Sequence, residues 1–262
     1  MNPLKLIQSM GVIVLPLNGG NVARGEVADH QLFSEVLAEF VADGLVDYAA
    51  LRNEKRLDQY LVQLDGTNPA DYATEAERLA LWINAYNAYT FKLVADDYPI
   101  ENINDLGTGG RIIGWLLNRS PWDIRFAKVG GEEYTLNEIE HEILRVRFDE
   151  PRIHFAIVCA AVSCPPLRAE AYFPERLDTQ LAEQGRQFIA DTRSNRFDLD
   201  RKKAEVSAIF SWFDQDFGGN DPEVLAFIAT LAPGEVAESI LKNPREWSLG
   251  YFHYDWSLND QP

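Results

Sequence analysis

Apolar residues recur at spacings of three and four through the first third of the chain. Phe33, Val36, Leu37, Phe40 and Val41 mark one helix, which Gly44 interrupts. Val46 to Leu51 leads into a second helix marked by Leu57, Tyr60, Leu61 and Leu64. A loop with Gly66, Asn68 and Pro69 precedes a longer helix over residues 74–96, closed ahead of Pro99, whose ring cannot extend it. Leu79, Trp82, Ile83, Tyr86, Tyr89 and Leu93 cover one broad side of that helix, with Asn84 and Asn87 on the remaining edge. Residues 122–129 alternate like a strand, and Gly130-Gly131 turns them toward Tyr134. An amphipathic helix follows over 136–147, with Thr135 as its N-cap. Residues 153–158 read as a central strand, 177–190 as a helix and 204–209 as a further strand. A last helix over 222–231 and a closing strand over 251–256 complete the pattern. It predicts a single α+β domain over residues 30–262, a helical N-terminal half packed on a small antiparallel or mixed sheet.

Composition changes this picture in two ways. Lys+Arg 24 against Asp+Glu 41 leaves a net charge of −17, and no basic block offsets it locally, so nucleic acid is not an expected partner. The acid is spread along the chain, as on a solvated surface. The first 25 residues carry signal-peptide grammar: Lys5, a short apolar run from Met10 to Leu17 broken by Pro16, and small residues around Asn21-Val-Ala23. They predict export to a periplasmic or secreted location, with the cytoplasm as the alternative. Elsewhere no apolar run approaches the roughly 20 residues of a membrane span, so no integral membrane segment is expected in the mature chain. Gly107-Thr-Gly-Gly110 lacks the Lys-Ser/Thr of a phosphate cradle, and no cofactor is expected.

Scarce, reactive side chains converge on Arg152-Ile-His-Phe-Ala-Ile-Val-Cys-Ala-Ala-Val-Ser-Cys-Pro-Pro-Leu167. This run holds both cysteines of the protein, Cys159 and Cys164, and His154, one of four histidines. Upstream, Glu140-His141 falls in the helix over 136–147. At about 100° per residue, Leu136, Ile139, Ile143 and Leu144 form the apolar stripe, Glu140 falls inside it and His141 on its edge. An inward carboxylate needs a partner: an ion pair with Arg145 or Arg147, a histidine or a backbone amide. In a straight strand His154 and Cys159 would be roughly 16 Å apart, so His141 is the imidazole expected at Cys159. A core histidine bonded to a backbone carbonyl is the competing account of His154.

Three readings of the cysteines stand open. A nucleophilic thiol needs an imidazole and a third group to orient it, and Cys159, His141 and Glu140 have the right types. A Cys159–Cys164 disulfide would enclose four residues. Two Cys and two His would suit zinc, although the spacing matches no knuckle pair, and no metal site is assigned. Asn84 and Asn87, as buried amides, either clamp a neighbouring loop or line a polar cleft, where one of them would help hold an oxyanion. The candidate catalytic set is therefore Cys159, His141, Glu140, His154 and Asn84. It predicts a thiol-dependent hydrolase or acyltransferase acting on a peptide, isopeptide or thioester carbonyl. The alternative is a non-catalytic exported binding domain in which the cysteines are a disulfide or buried thiols.

Five ordered blocks carry a resemblance. They are Trp82-Ile-Asn-Ala-Tyr-Asn-Ala88, Ile139-Glu-His-Glu-Ile-Leu-Arg145, His154-Phe-Ala-Ile-Val-Cys159 with Ser163-Cys-Pro165, Ser211-Trp-Phe213 with Asp216-Phe217, and Tyr254-Asp-Trp-Ser-Leu-Asn259. From about residue 30 to the end, the chain resembles the family catalogued as domain of unknown function 547. The resemblance implies that Asn84, Asn87, Glu140, His141, Arg145, His154 and Cys159 match motif positions, and that the protein is exported. It leaves the activity open. Papain-like and transglutaminase-like folds are the candidate relatives among thiol enzymes. Those usually set the cysteine at a helix N-terminus ahead of its histidine, the reverse of the order here.

Overall fold

Each helical period of the N-terminal region becomes a helix with its own cap. The computed structural model describes residues 27–106 and 120–262, so the N-terminal leader grammar and the Gly107–Gly110 loop lie outside the described residues. Helix α1 (His30–Phe40) begins at Asp29, whose carboxylate accepts from the Gln31 amide. A two-residue hairpin of β1 (Val41–Ala42) and β2 (Leu45–Val46) turns through Asp43 and Gly44, both at positive φ. Helices α2 (Tyr48–Leu51) and α3 (Lys55–Gly66) follow. Helix α4 (Glu75–Asp97) opens with a Thr74–Glu77 capping box. Every residue from Leu79 to Phe91 is buried, as expected of a helix apolar around its circumference: α4 is the central rod.

Strands β3 (Ala127–Val129) and β4 (Glu132–Tyr134) pair antiparallel about Gly130-Gly131. Helix α5 covers residues 136–147, capped by Thr135 and Glu138, and its middle, Ile139–Leu144, is π-helical. The expected central strand over 153–158 is not a strand. Ile153–Ala156 forms one helical turn, α6, and the chain extends only from Ile157. All six residues are buried, His154 included, so the run has no period that separates the two states. Nor does a strand lie alongside: the Asn87 side chain supplies both missing bonds, donating to the Ala156 carbonyl and accepting from the Val158 amide.

Helix α7 (Leu177–Ala190) forms where expected. The sheet is mixed: β5 (Arg196–Asp198) pairs antiparallel with β6 (Lys203–Val206), and β6 pairs parallel with β7 (Ser248–Tyr251). The strand expected over 204–209 stops at Val206, and Ile209 starts helix α8 (Ile209–Trp212). Helices α9 (Asp221–Ala229) and α10 (Gly234–Lys242) cover the sheet region. The closing strand expected over 251–256 is shifted back to β7, and residues 252–256 run irregularly onward. The chain is thus a single α+β domain with two adjoining apolar clusters. One surrounds α4; the other surrounds the mixed sheet and contains Phe155, Phe188, Phe210 and Phe217. The run 155–164 passes along the seam between them. No helix among the described residues is long and apolar enough to cross a membrane.

Candidate active site

A cleft of about 620 Å³ opens at this seam. The α4 cluster contributes Tyr86 and Trp122, the sheet cluster contributes Ile209, Phe213 and Tyr254, and Trp212 and Trp256 complete the aromatic wall. Trp212 and Trp256 stack at 5.7 Å, and Tyr254 packs against both at 4.7 Å. Glu140, His141, His154, Cys159 and Cys164 all face the same space. Among the described residues, no lysine or arginine lines it.

Behind this lining, Arg145 organises the polar groups. Its Nε and Nη2 donate to the two carboxylate oxygens of Asp216 at 2.5 and 2.9 Å, a bidentate pair, while Nη1 lies 2.9 Å from His141 Nδ1. Guanidinium groups only donate, so His141 Nδ1 accepts and the neutral ring carries its proton on Nε2. Burial, then the charge of Arg145, holds the His141 pKa below its usual value. On its other side Asp216 Oδ2 lies 2.7 Å from His154 Nε2. The carboxylate accepts from Nε2–H, which leaves Nδ1 as the basic nitrogen of His154. The ring stacks on Phe213 at 4.0 Å. Burial lowers the His154 pKa, and the bond to Asp216 only partly opposes this. Burial alone would raise Asp216, but the bonds from His154 and Arg145 outweigh it and hold the carboxyl well below the usual range.

Glu140 behaves differently. It is 8% exposed and bonds to no cation among the described residues; Tyr86 Oη donates to its Oε2 at 3.2 Å. Burial pushes its pKa up to about 7, against the smaller opposing effects of Tyr86 and Arg145. The expected ion pair with Arg145 or Arg147 is absent because Arg145 is committed to Asp216 and His141. The expected Glu140–His141 contact is absent too, since Arg145 holds that imidazole instead.

Cys159 and Cys164 are joined as a disulfide, with Cα atoms 6.3 Å apart, and the described residues hold no free cysteine. Tyr254 Oη lies 3.0 Å from Cys159 Sγ and donates to Cys164 Sγ at 3.3 Å, and the Cys159 amide also donates to Cys164 Sγ at 3.0 Å. The C-terminal segment pins the loop between them. Ala161 bridges Leu258, Val162 N–H donates to Ser257 O, Ser163 N–H to Asp255 O, and Asn259 N–H to Ala160 O. Cys159 lies in irregular chain after α6, not at the start of a helix.

The sequence-derived set therefore divides. Cys159, His141, Glu140 and His154 meet in the cleft. Asn84 does not: its amide donates to the Tyr172 carbonyl and its oxygen accepts from the Tyr172 amide, which clamps that loop. His154 bonds to a carboxylate, where a backbone carbonyl was the competing expectation. Asp216 and Tyr254 were missed. Both sit in the sequence blocks quoted above, but each is 62 or more residues from its partner, and no local period pairs them. No group of three or more His, Cys, Asp or Glu positioned for a metal occurs among the described residues.

A family model described as "Protein of unknown function, DUF547" matches residues 70–189, which run from the loop before α4 to the end of α7. Glu140, His141, Arg145, His154 and both cysteines fall inside this match; Asp216 and Tyr254 fall outside it. No curated protein and no solved structure matches the chain.

Proposed function

From the premise that residues 70–189 carry the DUF547 segment, we propose that this protein is a thiol-dependent hydrolase or acyltransferase whose nucleophile is Cys159 in its reduced form. The observation that carries this reading is His154, which lines the same cleft as Cys159 and is held from behind by Asp216 at 2.7 Å. A thiol nucleophile requires an imidazole base fixed by a third group, and Asp216 plays that part for His154. The helical turn of α6 supports it as well, because helical residues rise about 1.5 Å each against about 3.3 Å in a strand, which draws His154 back toward Cys159.

In the proposed reaction His154 Nδ1 takes the Cys159 proton, and the thiolate adds to a carbonyl carbon of a peptide, isopeptide or thioester. The imidazolium returns the proton to the leaving group as the carbon–heteroatom bond breaks, leaving a Cys159 thioester. Water or another acyl acceptor then adds, loses its proton to the same imidazole, and releases the thiol. His141 Nε2–H supplies a donor to the oxyanion, and Glu140 holds a second exchangeable proton near neutral pH. The test uses the reduced full-length protein and 4-nitrophenyl acetate. A burst of nitrophenolate equal to the enzyme, with acetyl mapped to Cys159 and the burst slowed in Asp216→Asn, supports the reading. An adduct distributed over lysines, unchanged in Cys159→Ala, sinks it.

The closed disulfide favours a second reading, a non-catalytic exported binding domain that Cys159–Cys164 helps to knit. Export accords with this second reading, since such bonds persist in oxidising compartments such as the periplasm or the exterior.

A further inference from the structure

The two sulfurs of the cleft are not equivalent. Both line the cleft and touch the sheet cluster, but Cys159 is half-buried whereas Cys164 is 8% exposed and belongs to the core of that cluster. The donors are also distributed unevenly. The Cys159 amide donates to Cys164 Sγ at 3.0 Å and has no counterpart at Cys159 Sγ; the single Tyr254 hydroxyl proton lies between the two sulfurs, 3.0 Å from Cys159 Sγ and 3.3 Å from Cys164 Sγ. Burial keeps the Tyr254 phenol protonated, so it remains a donor. In thiol–disulfide exchange the accessible sulfur is attacked, and the better stabilised sulfur leaves as thiolate. We propose that this protein has a second activity, thiol–disulfide exchange with a small thiol, in which Cys159 is the sulfur attacked and Cys164 the leaving and resolving thiolate.

The electrons balance without further reagents. A thiolate RS⁻ adds to Cys159 Sγ, the Cys159–Cys164 bond breaks, and its electron pair leaves on Cys164 Sγ, toward the amide and hydroxyl donors. A second RS⁻ attacks the RS sulfur of the mixed disulfide, releases RSSR and leaves Cys159 as thiolate. Both protein thiolates then take the two protons the thiols brought. Overall, two RSH reduce the protein disulfide to two thiols. In reverse, Cys164 attacks the mixed disulfide at Cys159 and expels RS⁻. The reverse step stays intramolecular because the loop is held from outside. Bonds from residues 255–259 to residues 160–163 do not involve the sulfurs and persist when the disulfide opens. Ala160 is held at φ 56°, in the left-handed region that disfavours a non-glycine residue, so the pinned segment maintains a geometry the free loop would leave. This activity requires no acyl substrate and goes beyond the acyl-transfer reading.

The experiment equilibrates the native full-length protein in glutathione buffers of graded oxidised-to-reduced ratio, quenches in acid, alkylates and counts labelled thiols by mass. Cys164→Ser is treated with oxidised glutathione alone, and Cys159→Ser serves as its counterpart. A single two-electron transition in native buffer is expected, with the mixed disulfide forming on Cys164→Ser at least roughly 10-fold faster than on Cys159→Ser, as thiol access dictates. Tyr254→Phe is expected to slow reduction by roughly 10-fold, the effect of losing one hydrogen bond to a developing charge. A disulfide that glutathione opens only in denaturant overturns the proposal, as does a mixed disulfide mapping to Cys164. Reduction by a phosphine separates this outcome from the acyl reading: an acetyl-Cys159 burst after phosphine treatment leaves that reading standing even where exchange fails.

Discussion

Replacing Glu140 by glutamine tests the electrostatic account of the cleft directly. The unfolded carboxyl ionises near 4.5 and the folded one near 7. Between these values the folded state keeps a proton that the unfolded state has lost, so the buried acid makes stability fall as pH rises through this window and withholds its full contribution above pH 7. The difference, 7 − 4.5 = 2.5, corresponds to about 3 kcal/mol at about 1.4 kcal/mol for each pH unit. Glutamine keeps an acceptor for Tyr86 Oη and carries no charge, but its NH₂ group enters a site with no acceptor assigned to it, at a cost of about 1 kcal/mol. At pH 5 the parent has already lost about 1 kcal/mol of this contribution, so Glu140→Gln should be about as stable as the parent there and about 2 kcal/mol more stable at pH 8. Urea unfolding followed by tryptophan fluorescence at both pH values measures this. Asp216 and His154 titrate in both proteins and largely cancel from the comparison. A stability difference between the two proteins that stays flat from pH 5 to 8 refutes the buried, proton-holding carboxyl.

The remaining predictions concern the groups that hold the site. Asn87→Ala leaves the Ala156 carbonyl and Val158 amide unpaired inside the core and should cost roughly 2–4 kcal/mol in urea unfolding; a loss below about 0.5 kcal/mol would contradict the clamp. Arg145→Ala removes the cation that helps depress His141, so the imidazole pKa read by NMR titration should rise; an unmoved value would show that burial alone sets it. Gly44→Ala places a Cβ 2.7 Å from Pro166 Cβ at a φ of +82°, and should destabilise by roughly 1–3 kcal/mol while disturbing the chain just past Cys164. Crystal structures or thermal melts indistinguishable from the parent would count against that close approach.

Several features were legible in the residues alone. The periods of α1, α3 and α4, the Thr74 and Thr135 caps and the Gly130-Gly131 turn are local, and hydrogen bonds within a few residues decide them. The inward direction of Glu140 was readable as well, from one carboxylate inside an apolar helical stripe. Four of the five candidate site residues share the cleft for a related reason: rare reactive types near a loop have few places to go.

The sequence by itself thus determined the α+β composition, the acidic surface and the identity of the reactive side chains. Tertiary structure alone decided how they are wired. It made residues 153–156 a helical turn, because Asn87 on α4 replaced the strand neighbour that a sheet would require. It gave Arg145 to Asp216 and His141, left Glu140 with Tyr86, and sent Asn84 to the Tyr172 backbone. It also brought Tyr254 back across 95 residues to the Cys159 sulfur. These pairings follow from which surfaces meet when the two apolar clusters pack, a property of the whole chain's burial that no local spacing encodes.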